Sequence, residues 1–288
     1  MTTLSGVWAA SLTPVNEALN PDPGRMVEHV HRLVESGCDG VVVFGTTGEA
    51  TSFSVAERRR LLAEIVERGV EPSRIMVGVG CAAVTDTVTL SNHAAEVGCA
   101  GLIMLPPFYY KGLPEEWLGQ AYGWVFERLV HPPPVLLYNI PQVSGVAVSP
   151  RLAAALAAEY PGLVVGVKDS SGELASLLEF IDAWPNGRVF AGDERLLLAG
   201  LEEGGAGTIS GPANVNAALI RRAYDGETRV LPALDEFRQI IAPFPAVPAL
   251  KAMVSAMRDD PGWARVRPPL QSLPDAAAAP LVRALSAM

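Results

Sequence analysis

Lysine is nearly absent from these 288 residues: Lys111, Lys168 and Lys251 stand against nineteen arginines. Basic surface work has gone to arginine, so a lysine that remains is a candidate for use as an amine. Charge of either sign is also sparse, at 18% of residues with a net charge of −9, and no Lys/Arg run occurs. That balance removes the basic patch a nucleic acid would need. There are four histidines, no H-E-x-x-H and no C-x-x-C. His29 and His31, two apart on a helical stretch, point to different faces. No metal site is therefore expected, and no other cofactor. The three cysteines, Cys38, Cys81 and Cys99, are odd in number and widely spaced. Buried, inert thiols in a cytoplasmic protein fit that pattern better than a disulfide framework. Residues 1–10 lack a basic segment leading into an apolar stretch, so no secretory signal is expected. No run reaches the roughly 18 apolar residues of a membrane span.

What is present is hydrophobic residue, 49% of the chain, enough for a large core. Short apolar runs at 7–12, 40–44, 75–79, 101–105, 135–138, 163–168, 188–191 and 207–209 read as strands. Amphipathic stretches at 26–36, 56–68, 86–97, 115–129, 151–159, 173–183 and 194–203 separate them. Ser54 and Ser149 stand at two helix starts as caps, and Gly37, Gly69 and Gly98 stand at three ends. Continuous rather than alternating apolar runs mark parallel strands buried on both faces. Eight strands with seven intervening helices predict an α/β (β/α)₈ TIM barrel. Past about residue 215 only helical stretches follow, at 215–224, 232–241 and 246–258, then a Pro- and Ala-rich end from 267. The reading is a catalytic barrel over 1–214 with a C-terminal helical extension over 215–288.

Three segments carry candidate chemistry. Lys168 ends the apolar run L-V-V-G-V-K, where withdrawal from water disfavours an ammonium and leaves more free amine to attack a carbonyl. The bland alternative is a lysine reaching out of the strand end to pair with Asp169. Gly45-Thr46-Thr47-Gly48-Glu49 is a turn with two hydroxyls and exposed N–H groups, able to nest a carboxylate. Tyr138-Asn139-Ile140-Pro141 delivers a phenol at a strand end, where a packing role is the ordinary one. All three lie at the C-terminal strand ends, the face on which TIM barrels carry active sites. An amine, a phenol and an anion-binding turn together suit carbon–carbon bond chemistry on a 2-oxo acid.

These segments, with Gly166-Val167-Lys168-Asp169-Ser170, resemble the motifs of the dihydrodipicolinate synthase / N-acetylneuraminate lyase family. Weaker similarity runs from about Gly6 to Met253 and includes Pro106-Pro107-Phe108-Tyr109-Tyr110, Gly192-Asp193-Glu194 and Gly207-Thr208-Ile209-Ser210-Gly211. The resemblance implies that Lys168 forms a Schiff base with pyruvate and that Thr46 and Thr47 hold its carboxylate. It implies Tyr138 as proton shuttle and Tyr109 as a residue crossing from a neighbouring subunit into a relay with Thr47 and Tyr138. A homo-oligomer, commonly a homotetramer built as a dimer of dimers, follows from the same likeness. Ile209 resembles a backbone contact near the keto acid.

The segment after Tyr138 departs from the synthase pattern. Val143 stands where synthases carry an arginine that grips the carboxylate of aspartate semialdehyde, and valine has no donor. An apolar residue there resembles the neuraminate lyase form, whereas Thr46 differs from the serine of those lyases. Pro-Pro-Phe-Tyr-Tyr is similar to the sugar-acid aldolases. The histidine- and asparagine-bearing segments of the family's lysine feedback site are not found; Val55 and Ala82 lie near where they would be expected. The reading is a pyruvate-dependent aldolase or lyase whose partners are pyruvate and a small aldehyde, joined as a 2-keto-3-deoxy sugar acid or related hydroxy-oxo acid. Dihydrodipicolinate synthase, a dehydratase using the same iminium, and a non-catalytic small-molecule binder are the alternatives.

Overall fold

Eight parallel strands close into a barrel in chain order: β1 (Gly6–Ala10), β2 (Gly40–Val43), β3 (Ile75–Gly78), β4 (Gly101–Met104), β5 (Val135–Asn139), β6 (Val164–Asp169), β7 (Arg188–Ala191) and β8 (Gly207–Ser210). The computed structural model describes residues 4–285; residues 1–3 and 286–288, the outer ends of the two segments, lie outside the described residues. Each expected strand is present, and the barrel closes where β8 pairs with β1. Successive side chains alternate between faces. Val41, Val43, Ile75, Val77, Val135, Leu137 and Val167 join the outer core under the helices. Trp8, Val42, Met76, Ile103, Leu136, Tyr138, Phe190 and Ile209 fill the barrel interior. Each fully buried aliphatic side chain among them contributes about 1.5–3 kcal/mol.

The helix layer consists of α1 (Pro23–Glu35), α2 (Val55–Glu67), α3 (Val84–Val97), α4 (Glu115–Phe126), the short α5 (Pro141–Ser144), α6 (Pro150–Glu159), α7 (Leu174–Ala183), α8 (Leu197–Glu202) and α9 (Ala213–Tyr224). Ser54 opens α2 through a reciprocal box: its hydroxyl accepts the Glu57 N–H at 3.3 Å, and the Glu57 carboxylate accepts the Ser54 N–H at 2.9 Å. Such a cap contributes about 1 kcal/mol. Ser149 caps α6 in the simpler way, and Gly37, Gly69 and Gly98 adopt positive φ just past their helices. His29 is buried against Asn214 while His31 on the same helix is exposed. α9 packs on β1 and α8 and supplies the eighth barrel helix.

Three details differ from the sequence expectation. The stretch from 194 begins as a 3₁₀ turn, Glu194–Leu196, before α8. The alanine-rich end folds as α12 (Asp275–Leu285), which packs on α10 (Leu231–Ile241) and α11 (Ala246–Arg258) through buried Leu281. Alanine's low helix cost outweighs the proline punctuation there. Cys38 and Cys99 are buried, and burial pushes both thiols up to about 12. Cys81 is only half-buried, because it sits on the loop after β3 beside the Arg58 guanidinium. No single helix among the described residues is long and apolar enough to cross a membrane.

Candidate active site

Tyr138 and Lys168 are register partners on β5 and β6, so both side chains enter the barrel at the same level. Lys168 is 5% exposed, and its ammonium donates to the Tyr138 hydroxyl at 3.3 Å. The Nζ also lies 4.4 Å from the centre of the Tyr138 ring, a cation–π placement. Asp169, one residue on, points the other way. It accepts from Asn139 Nδ2 at 2.8 Å and from the Ser171 hydroxyl at 2.8 Å. The lysine therefore turns inward to the phenol rather than out to Asp169. Burial pushes the Tyr138 phenol up, but the Lys168 charge and hydrogen bonds with Thr46, Ser170 and Lys168 outweigh it. The net effect holds the phenol below its ordinary value, which favours the phenolate as a base.

The turn after β2 brings the third group. Thr46 Oγ1 lies 3.4 Å from the Tyr138 hydroxyl. Thr47, expected in that relay, instead faces Gly211, where an added Cβ would come within 3.1 Å of Thr47 Oγ1. Consecutive turn residues point in different directions, and only one hydroxyl can meet the phenol. Phe44 and Glu49 flank the turn with φ of 56° each, a left-handed conformation that costs non-glycine residues free energy. Gly48 permits it, since a Cβ there would sit 3.0 Å from both Phe44 N and Ser11 O. The Thr13 hydroxyl pins the Gly48 carbonyl at 2.8 Å. Among the described residues, no backbone acceptor takes the N–H of Thr46, Thr47 or Gly48. Successive turn N–H groups left without a backbone acceptor can hold an oxyanion.

A cavity of about 280 Å³ reaches Thr46 and Tyr138, with Ile103, Phe108, Val143 and Ser144 also in its wall; its lining residues carry no charged side chain, and Lys168, Thr47 and Ile209 are not among them. Val143 stands on α5, whose first residue is Pro141, a residue suited to a helix start. Ile209 is fully buried on β8, level with Trp8 of β1. Tyr109 does not enter this chain's own cavity. It is 72% exposed and packs edge-on against Tyr110 at 5.4 Å.

Sequence reasoning missed the groups that hold this arrangement. Asn139 ties β5 to β6 through Asp169 and accepts the Val148 N–H at 3.1 Å. Glu194 is fully buried, accepting from Ser210 Oγ at 2.6 Å and from Arg238 of α10 at 2.7 and 2.8 Å. Glu49 and Lys251 form a second buried ion pair, between the turn and α11. A charge inside the apolar run A-V-P-A-L-K-A-M-V was the available signal for Lys251, the same signal that marked Lys168.

A family profile described as "Dihydrodipicolinate synthetase family" matches residues 3–284. An uncharacterized DapA-like lyase of Chloroflexus aurantiacus is 35% identical over 275 residues, 93% of this chain and 91% of that protein. The crystal structure of a dihydrodipicolinate synthase from Agrobacterium tumefaciens superposes with a TM-score of 0.92 and 32% identity, covering 99% of each chain. A prophage protein of the dihydrodipicolinic acid synthase family from E. coli K12, solved in complex with pyruvate, gives a TM-score of 0.85 at 25% identity over 98% of each chain. With the barrel, the profile match and the relatives in agreement, this chain belongs to the dihydrodipicolinate synthetase family of class I lyases.

Proposed function

We propose that the chain is a Schiff-base-forming aldolase that releases pyruvate from a 2-keto-3-deoxy sugar acid or related hydroxy-oxo acid. The observation that carries this is the amine–phenol–hydroxyl series Lys168–Tyr138–Thr46, with contacts of 3.3 and 3.4 Å, of which Tyr138 and Thr46 line a cavity with no charged side chain in its wall. Lys168 attacks the keto carbon and loses water to give an iminium. The Tyr138 phenolate takes the proton of the substrate hydroxyl, the adjacent carbon–carbon bond breaks, and its electron pair moves into the iminium as an enamine. The aldehyde leaves, the enamine is protonated, and hydrolysis returns pyruvate and free Lys168. Thr46 passes the proton onward, and Thr47 with the free N–H groups holds the carboxylate. The Ile209 backbone lies beside the keto group, and Val143 presents an apolar wall to the aldehyde portion. The pyruvate complex of the E. coli relative supports the keto-acid half of this reading.

In this reading residues 1–214 carry the chemistry and 215–288 form a supporting extension, with α9 straddling the line. Tyr109, exposed on one chain, completes the relay of a second copy in a homo-oligomer. Dihydrodipicolinate synthase is the second reading, favoured by the 32% identity to the Agrobacterium enzyme and opposed by Val143. The test is trapping with pyruvate and borohydride, followed by a screen of 2-keto-3-deoxy acids for pyruvate release. A reduced pyruvyl adduct on the Lys168 peptide and release from at least one such acid are expected. Adduct at Lys111 or Lys251, or no adduct, sinks the mechanism.

A further inference from the structure

Lys251 on α11 is fully buried, and its Nζ lies 2.5 Å from Glu49 Oε1 and donates to the Arg265 carbonyl at 2.7 Å. The other Glu49 oxygen accepts the Arg267 N–H at 2.9 Å. Both partners of this carboxylate thus come from the C-terminal extension, while Glu49 itself closes the turn of residues 45–48. Burying two ions is costly, and an apolar pair often serves stability as well. Burial indeed holds the Lys251 ammonium below its ordinary value although Glu49 pulls the other way.

The location explains what the pair does. Glu49 is left-handed, with φ of 56° and ψ of 33°, and Phe44 at the other end of the turn has φ of 56°. Such backbone persists only where its surroundings over-determine it. Gly48, next to Glu49, is tied to the barrel through Thr13 and through its close approach to Ser11 and Phe44. The Glu49 side chain adds a second restraint at the same end of the turn, the carboxylate clamp from Lys251 and Arg267. Between the two ends lie the Thr46 hydroxyl and the three free N–H groups.

We propose that the buried Glu49–Lys251 ion pair is a positioning device through which the helical extension aims the 45–48 turn at the keto-acid carboxylate. The inference rests on the pyruvate reading above. Neither side chain touches a reacting atom, so both are positioning residues, and Lys251 is no second nucleophile. Loss of the pair should weaken pyruvate capture more than it slows chemistry on bound pyruvate.

The test titrates pyruvate against full-length protein with borohydride and measures the labelled fraction at Lys168. Glu49→Gln keeps the shape and the acceptor for Arg267 but removes the charge. It is expected to raise the half-saturating pyruvate concentration about tenfold or more, since small misplacements of binding groups are costly, with plateau labelling retained. Lys251→Met leaves a buried carboxylate unpaired and can unfold the chain. The double variant Glu49→Gln/Lys251→Met removes both charges and should show the same shift in folded protein. Unchanged half-saturation in a folded variant overturns the proposal, whatever happens to the melting temperature. Failure of both Glu49→Gln and the double variant to fold also overturns it, because the pair would then serve stability. An unlabelled wild type strikes the pyruvate reading itself and takes this inference with it. A labelled wild type with unshifted variants strikes the inference alone.

Discussion

Val143→Arg offers the sharpest separation between a sugar-acid aldolase and a synthase. Val143 is the third residue of α5, is 62% exposed, and lines the cavity. Its N–H already donates to the Ile140 carbonyl at 3.0 Å, so the backbone is held independently of the side chain. A longer side chain starting from this exposed position displaces no core, and stability should change by less than about 0.5 kcal/mol. A bidentate guanidinium–carboxylate contact contributes roughly 1.5–3 kcal/mol when shielded. At a rim open to water the lower figure applies, and about 1.4 kcal/mol corresponds to tenfold in kcat/KM. The assay compares wild type and variant on aspartate semialdehyde with pyruvate, and on the best 2-keto-3-deoxy acid from the release screen. Wild type should strongly prefer the sugar acid, and the variant should shift the ratio of the two kcat/KM values about tenfold toward the semialdehyde. Free lysine should not inhibit either protein. Efficient semialdehyde condensation by the wild type would refute the reasoning, because another group would then be holding that carboxylate and the synthase reading would lead.

Tyr138→Phe removes one hydroxyl and almost no volume, and kcat should fall about 10²–10⁴-fold. Because the phenol is held below its ordinary value, the base form fills at lower pH than for free tyrosine. The rising limb of kcat with pH should therefore lie below about 10 and vanish in the variant; wild-type turnover by Tyr138→Phe would reduce the residue to packing. If Tyr109 completes a neighbour's relay, dilution to monomers should abolish activity, and Tyr109→Phe should lower kcat without changing assembly. A fully active monomer by light scattering removes Tyr109 from the mechanism.

The barrel was legible because its strands are buried on both faces, so each reads as an apolar run whatever its neighbours are. Lys168 was legible for the same reason: a charge ending such a run is conspicuous before any partner is known. Its alternatives were separated only by strand alternation, which sends Asp169 toward Asn139 and Lys168 toward Tyr138. Periodicity does not reach into turns, and nothing in Gly-Thr-Thr-Gly tells which hydroxyl meets the phenol. That depended on the backbone angles of Phe44 and Glu49, which are set by contacts from Ser11, Thr13 and the distant 251–267 segment. Lys251 shows the limit from the other side. A lysine in an apolar helix announces burial, and burial demands a counter-charge, but the partner lies on the turn after β2, about two hundred residues earlier in the chain. Glu194 and Arg238 repeat the pattern from the loop after β7 to α10. Two charged pairs thus run from the catalytic face into the extension. A segment that only covered apolar surface would need neither, so the extension is better understood as part of the site's framework than as an appendage to it.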